Sequence, residues 1–496
     1  MLSMSKQQEA VLQRFYQRKN IFITGSAGTG KSFLINKMCQ GCGLSIGEEI
    51  QVCAMTGIAA VLLNACSASS IKARTIHSWS GIKLCNNPDK RVIINRVLNN
   101  KRVRKDWRQT EILVIDEVSM MSCYVFDILE ELARIIRKDN RPFGGLQVIF
   151  TGDMFQLPPI GDLEIPDSYK FCFESKKWNL VFDKDNHIEL TRIYRQSDTT
   201  YINLLNQVRL GEIDETNREI LFNRVKLDTS GLVLTKLFPI RINVDRINQF
   251  EFAKINENEH TFNQIVKTDV KYNIDNGKPF DEDVLLLCAN ATAEEIHQET
   301  EMLKSQMSSI CPERVVLKKG AVVMCVANLD IEMGICNGSQ GRIVDIIPGV
   351  KKTIYFGGTT EYSTTLASIE TVMDIPVVQF TNGVLYRGFV PQFWQSQNLP
   401  CIVIGQIPLI LSWATTIHKS QGMTLSHAEI DLGSQVFEYG QAYVALSRVK
   451  SLEGLYLTNF NPNKIKANPK VIAFYKKMKE NTLLLNENDS RAEDTL

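Results

Sequence analysis

No apolar run in this 496-residue chain reaches the ~18 residues that a bilayer-spanning helix requires. The strongest stretch, IPLILSWATTI from Ile407, is broken by polar residues. The opening, MLSMSKQQEAVLQRF, lacks the apolar core of a signal peptide. Both absences lead to the expectation of a cytoplasmic or nuclear protein with no membrane partner. A charge excess is missing too: 56 Lys and Arg stand against 55 Asp and Glu, so composition alone does not announce nucleic acid. Zinc spacing is also absent. The twelve cysteines lie mostly in apolar surroundings, as Cys53 and Cys325 do, which suits reduced thiols. The pair Cys39 and Cys42 has neither a second pair nor a nearby histidine. No internal repeat or low-complexity linker interrupts the chain.

What remains is an ordinary globular composition, 44 % hydrophobic and 22 % charged, long enough for about three domains at ~150 residues each. Charge is concentrated locally. From Lys83 to Arg108 the stretch is rich in Lys and Arg, with only Asp89 and Asp106 opposing them, which reads as a basic surface helix or as a nucleic-acid-facing insertion. The polar, acidic tail at 481–496 has no hydrophobic period and is expected to be disordered.

The stretch FITGSAGTGKSFLINKMC fits G-x-x-x-x-G-K-[ST], with Gly25, Gly30, Lys31 and Ser32 in the defining places. An apolar run precedes it and a helix-like run follows. Glycines let the loop Gly25, Ser26, Ala27, Gly28, Thr29, Gly30 curl its N–H groups inward onto phosphate oxygens at a helix N-terminus. Lys31 then reaches the β- and γ-phosphates, and the Ser32 hydroxyl can ligate Mg²⁺. A second strand, ILVI, ends in Asp116 and Glu117. Alone these could be a solvated loop; beside a phosphate loop, Asp116 would hold Mg²⁺ through water and Glu117 would activate the attacking water. A third strand, LQVIFTGD, leads to Gln156, which in that company reads as a sensor of the γ-phosphate.

Taken in order, GSAGTGKS, AMTGIAAVLL, TIHSW, ILVIDEVSMM, RPFGGLQVIFTGDMFQLPP, LTRIYRQ, LSWATTIHKSQGMTL and YVALSRVKSLEGLYL resemble the Pif-one family of superfamily-one helicases, in the subgroup that moves 5′ to 3′. The resemblance runs from about Met4 to about Phe460. It implies an adenine-binding role for Gln8, although Met4 stands where the family's motif begins with leucine. It implies that Arg195 and Arg448 reach the γ-phosphate, where guanidinium groups stabilise transition-state charge; either arginine alone would read as a surface ion pair. Thr56, His77, His418 and Lys419 match motifs facing the nucleic-acid strand, with donors suited to phosphate oxygens. His77 alone would read as a packed loop histidine. Gly422, in HKSQG, falls in the motif that couples strand groove to nucleotide.

The expected fold is α/β: two RecA-like P-loop NTPase domains, the first over 1–187 with a wedge insertion at about 82–108. The second would be split into 188–312 and 401–480 by an SH3-like β-barrel insertion at 313–400. The function this implies is an ATP- and Mg²⁺-dependent 5′-to-3′ DNA helicase, translocating on single-stranded DNA and acting on tailed or forked duplex DNA, monomeric, with replication or repair proteins as partners. A RecD-type translocase subunit of a larger assembly, or a nucleic-acid-binding scaffold, are the competing readings.

Overall fold

Three five-residue runs, IFITG, IQVCA and ILVID, and the six-residue QVIFTG are buried along their whole length. Strands of this kind, covered on both faces, belong to the interior of a parallel sheet. The computed structural model describes residues 4–480, apart from 66–70, 84, 86, 197, 230, 231, 233, 275, 276, 309, 310, 328, 331, 332, 336–338, 356–367 and 397. It divides into two compact units, one within Met1–Leu227 and Ile430–Leu496, the other within Asp228–Glu429. The acidic tail lies outside the described residues.

In the first unit, β1 (Ile21–Gly25), β2 (Ile50–Ala54), β3 (Arg74–Thr75), β4 (Ile112–Asp116), β5 (Gln147–Gly152) and β6 (His187–Leu190) form one sheet in the order β3-β2-β4-β5-β1-β6. Every neighbouring pair is parallel. Helix α1 (Lys6–Tyr16) starts at a Ser5 capping box, and α2 (Lys31–Gly41) follows the phosphate loop. Alternation along the strands sends two sets of side chains to opposite faces. Ile21, Ile23, Val52, Val114 and Ile149 pack with Val11, Phe15, Leu34 and Met38 from α1 and α2. Phe22 and Phe150 point the other way, into an aromatic core with Phe126, Phe143, Trp178 and Phe182.

The FGG segment before β5 has a packing role there. Phe143, fully buried, takes a left-handed φ of 49°, and Gly144 a φ of 60°. A Cβ on Gly144 would lie 2.5 Å from the Ala133 carbonyl of the helix Cys123–Arg137, so only glycine permits this approach. The basic stretch folds as two short helices, Lys90–Asn99 and Lys101–Gln109, capped by Asp89 and Asn100. Their apolar sides are buried, and Trp107 packs against Trp79 with ring centroids 4.5 Å apart while donating to the Ser80 carbonyl. Most of the cations lie on the outside.

The second unit contains a parallel pair, Thr235–Phe238 with Ala414–Thr416, flanked by the helix Arg241–Ala253. Its β-rich part is a five-stranded sheet built around a long antiparallel pair, Gln340–Tyr355 with Ser368–Phe380, whose register shifts twice. Val322–Cys325 and Leu409–Leu411 extend the sheet, so it draws one strand from beyond 313–400.

Candidate nucleotide site and strand-facing groups

A parallel sheet gathers its strand ends, and the loops after them, at one edge. The phosphate loop after β1, Thr56 after β2, His77 after β3, Asp116 and Glu117 at β4, Gln156 after β5 and Arg195 after β6 all lie along that edge. Gly28 and Gly30 take φ of +83° and +89°; a Cβ on Gly28 would sit 2.5 Å from that of Arg195, and one on Gly30 2.8 Å from the Gln8 amide nitrogen. The loop is thus moulded against the chain that carries Gln8, Tyr194 and Arg195. The Tyr194 N–H donates to the Gly28 carbonyl at 2.8 Å. Gln8, buried, accepts from the Ser5 N–H at 3.0 Å and from the Tyr194 hydroxyl at 3.4 Å. Lys31 Nζ donates to the Gly25 and Ser26 carbonyls at 2.8 and 3.1 Å. Burial lowers its pKa, against the opposing pull of Asp153, Glu117 and Asp116.

Asp116 is buried and accepts from the Glu117 N–H at 2.9 Å and from the Thr151 hydroxyl. Burial raises its pKa, with both hydrogen bonds and Lys31 acting the other way. Glu117 occupies the left-handed region at φ 56°, ψ 40°, a conformation uncommon for a residue with a side chain and of the kind that collects at functional sites. Ser32 and Asp116 offer hard oxygen donors, and among the described residues no group of three or more His, Cys, Asp or Glu is placed to hold a metal ion by itself. A site with so few protein ligands fits Mg²⁺, which keeps most of its shell as water and phosphate oxygen.

Behind the loop, Arg209 from the helix Thr199–Leu210 grips Asp153 through Nε and Nη2 at 2.9–3.1 Å, and reaches Glu189 at 3.2 Å. The Tyr443 hydroxyl donates to Asp153 Oδ2 at 2.9 Å and accepts the Ala27 N–H at 3.0 Å. The Tyr475 hydroxyl bonds Thr24 and accepts the Met154 N–H at 3.3 Å. Arg448 is buried, its Nε donating to the Val444 carbonyl at 2.9 Å and Nη2 to the Ser447 hydroxyl at 2.8 Å. Burial, then the neighbouring Arg195, pushes its pKa down to about 10, while Glu117 pulls upward. The fold therefore brings together Lys31, Asp116, Glu117, Arg195 and Arg448.

Thr56 accepts the Ala59 N–H at 3.2 Å at the start of its helix. Burial holds His77 down at about 4, so it is a neutral imidazole at pH 7. His418 and Lys419 lie in the second unit, just past Thr416, and burial lowers the pKa of each. Arg241, just past the neighbouring strand, adds to the lowering at Lys419, while Asp245, 3.5 Å from Arg241, acts the other way. Gly422, in the turn that follows, has φ +83°.

The family model described as PIF1-like helicase matches residues 3–219, and the one described as DNA helicase Pif1, 2B domain matches 302–346. Curated relatives include the ATP-dependent DNA helicase PIF1 of Emericella nidulans, 33 % identical over 95 % of this chain, and that of Homo sapiens, 34 % identical over 95 %. The chain spans 62 % and 63 % of those two proteins' lengths. The crystal structure of Pif1 helicase from Candida albicans, 30 % identical, matches over 96 % of this chain and 100 % of its own, with a TM-score of 0.69. This chain belongs to the Pif1 helicase family. As in that Pif1 structure, the fold is α/β with RecA-like domains built on parallel sheets. Within this Pif1 chain, Arg209, Tyr443, Tyr475 and Thr151 were not legible as site residues. Tyr443 lies inside the YVALSR motif, but a tyrosine in an apolar helix gives no sign of the partner that its hydroxyl will find.

Proposed function

We propose that this chain is the motor of an ATP-dependent DNA helicase, hydrolysing ATP to translocate 5′ to 3′ on single-stranded DNA and to separate tailed or forked duplex. The observation that carries this reading is the gathering of a phosphate-loop lysine, a strand-end Asp-Glu pair and two arginines in one site. In it, the loop N–H groups and Lys31 bind the β- and γ-phosphates, Gln8 faces the adenine, and Glu117 takes the proton of the attacking water. Ser32 and Asp116 would hold Mg²⁺, which supplies charge neutralisation on the phosphates. Gln156 orients the water, and Arg195 with Arg448 stabilises the charge on the transferred group, an effect worth about 10³–10⁵ in rate for such arginines. Thr56, His77, His418 and Lys419 contact the strand's phosphates, Gly422 lies in the segment coupling them to the nucleotide, and residues 82–108 act as the wedge. We read 1–187 as the first RecA-like domain, 188–312 with 401–480 as the second, and 313–400 as an SH3-like module.

Strand displacement with ATP and Mg²⁺, on matched duplexes bearing a 5′ or a 3′ tail, tests this. Unwinding confined to the 5′-tailed duplex is expected; a 3′ preference, or DNA-independent turnover without unwinding, overturns it.

A further inference from the structure

Tyr443 lies against the phosphate loop, fully buried in the helix Gln441–Leu446. Its single hydroxyl makes two bonds at once, accepting the Ala27 N–H at 3.0 Å and donating to Asp153 at 2.9 Å. Asp153 is fixed in turn by the forked Arg209, whose guanidinium lies 4.6 and 5.1 Å from the Phe155 and Tyr475 ring centroids. Tyr475, from the helix at 469–480, ties the same assembly to Thr24 at the end of β1. Every group in this assembly is buried and hydrogen-bonded, the condition under which a polar network rigidifies its surroundings.

We propose that Tyr443 is a positioning residue for the nucleotide: its hydroxyl, anchored on the Asp153–Arg209 pair, holds the Ala27 N–H outward and so sets the curl of the phosphate loop from Ser26 to Gly30. This rests on the reading of that loop as the ATP site. The Ala27 N–H is held by a side chain, and a loop whose middle is fixed presents its remaining N–H groups already in place. Preorganisation of this kind appears in affinity, because an untethered loop must be ordered when the phosphates arrive. Burial raises the Tyr443 pKa, which keeps the hydroxyl a donor across the working pH range.

The comparison that tests this sets Tyr443→Phe against Tyr201→Phe. Tyr201 is equally buried and donates its hydroxyl to the Leu446 carbonyl at 2.7 Å in the same pair of helices, without touching the loop. Both variants delete one buried hydroxyl, so both should lower the melting temperature by a similar amount. Tyr443→Phe alone is expected to weaken ADP binding about tenfold by calorimetry and to raise KM for ATP in step, with kcat at saturating ATP changing less. Wild-type ADP affinity in Tyr443→Phe, or an equal loss in both variants, overturns the positioning role. Absence of ADP binding in the wild-type protein overturns the nucleotide-site reading itself. Should Tyr443→Phe fail to fold, Tyr475→Phe serves instead, with about threefold weaker ADP binding expected and unchanged affinity counting against the anchored assembly.

Discussion

Two substitutions separate the steps of hydrolysis at the level of single side chains. On the proposed mechanism, Glu117→Gln keeps the left-handed turn and the bulk of the side chain but removes the base, so turnover should fall at least about 10²-fold while ATP binding persists. Single-turnover quenched flow beside nucleotide binding checks it. Lys31→Ala removes the ammonium that the loop carbonyls hold, and should abolish hydrolysis while single-stranded DNA binding survives, as fluorescence anisotropy would record. Titration gives a third expectation. Burial holds His77 and His187 down at about 4, His187 among the Phe22, Trp178 and Phe474 rings. The unfolded chain binds those protons from pH ~6.5 downward, the folded one only near 4. Stability should therefore be full above pH 6.5 and fall as pH drops from there towards 4. Melting curves of wild type and His187→Gln across that window should converge at its acid end. At this scale the sequence was most readable where a residue type is dictated by backbone or charge: Gly30, Lys31, Asp116. It was least readable for Arg209, whose partner Asp153 lies 56 residues earlier and whose type is common on any surface.

Elements were legible in proportion to how local their causes are. The apolar runs of β1, β4 and β5 and the strand-loop-helix setting of the phosphate loop follow from pattern alone. The basic stretch left two readings open because a charge run does not say what its opposite face packs against. Trp79 and Trp107 supply that answer only once folded. Gly144 makes the same point: its segment RPFGGLQVIFTGDMFQLPP carries part of the family resemblance, but the sequence does not show the helix carbonyl that Gly144 approaches. Gly144→Ala combines a positive φ with a 2.5 Å approach to Ala133, and should destabilise the first unit by about 1–3 kcal/mol in urea denaturation. Phe150→Ala, at the centre of the aromatic core, should cost about 3–5 kcal/mol by the same measurement.

Over the whole molecule, a net charge of +1 conceals local concentrations of cations: Lys419 near Arg241 in one unit, and the outer faces of the two basic helices in the other. If grip is by phosphates rather than bases, log K for single-stranded DNA should fall by about 0.7 per contact for each tenfold rise in salt. Equilibrium titrations at several salt concentrations measure the slope, and a flat line would exclude such a grip. The first compact unit takes its members from two stretches far apart in the chain, Met1–Leu227 and Ile430–Leu496.

That arrangement has a consequence for a chain still on the ribosome. Synthesis runs at about 5–20 residues per second, and domains made early generally fold first. Here, however, the rear of the loop made at residues 24–27 is braced by hydroxyls that arrive at residues 443 and 475. Several hundred residues must emerge before the loop is braced, so on the proposed reading a half-made chain has its phosphate loop without the backing, and nucleotide held tightly should mark a nearly finished chain.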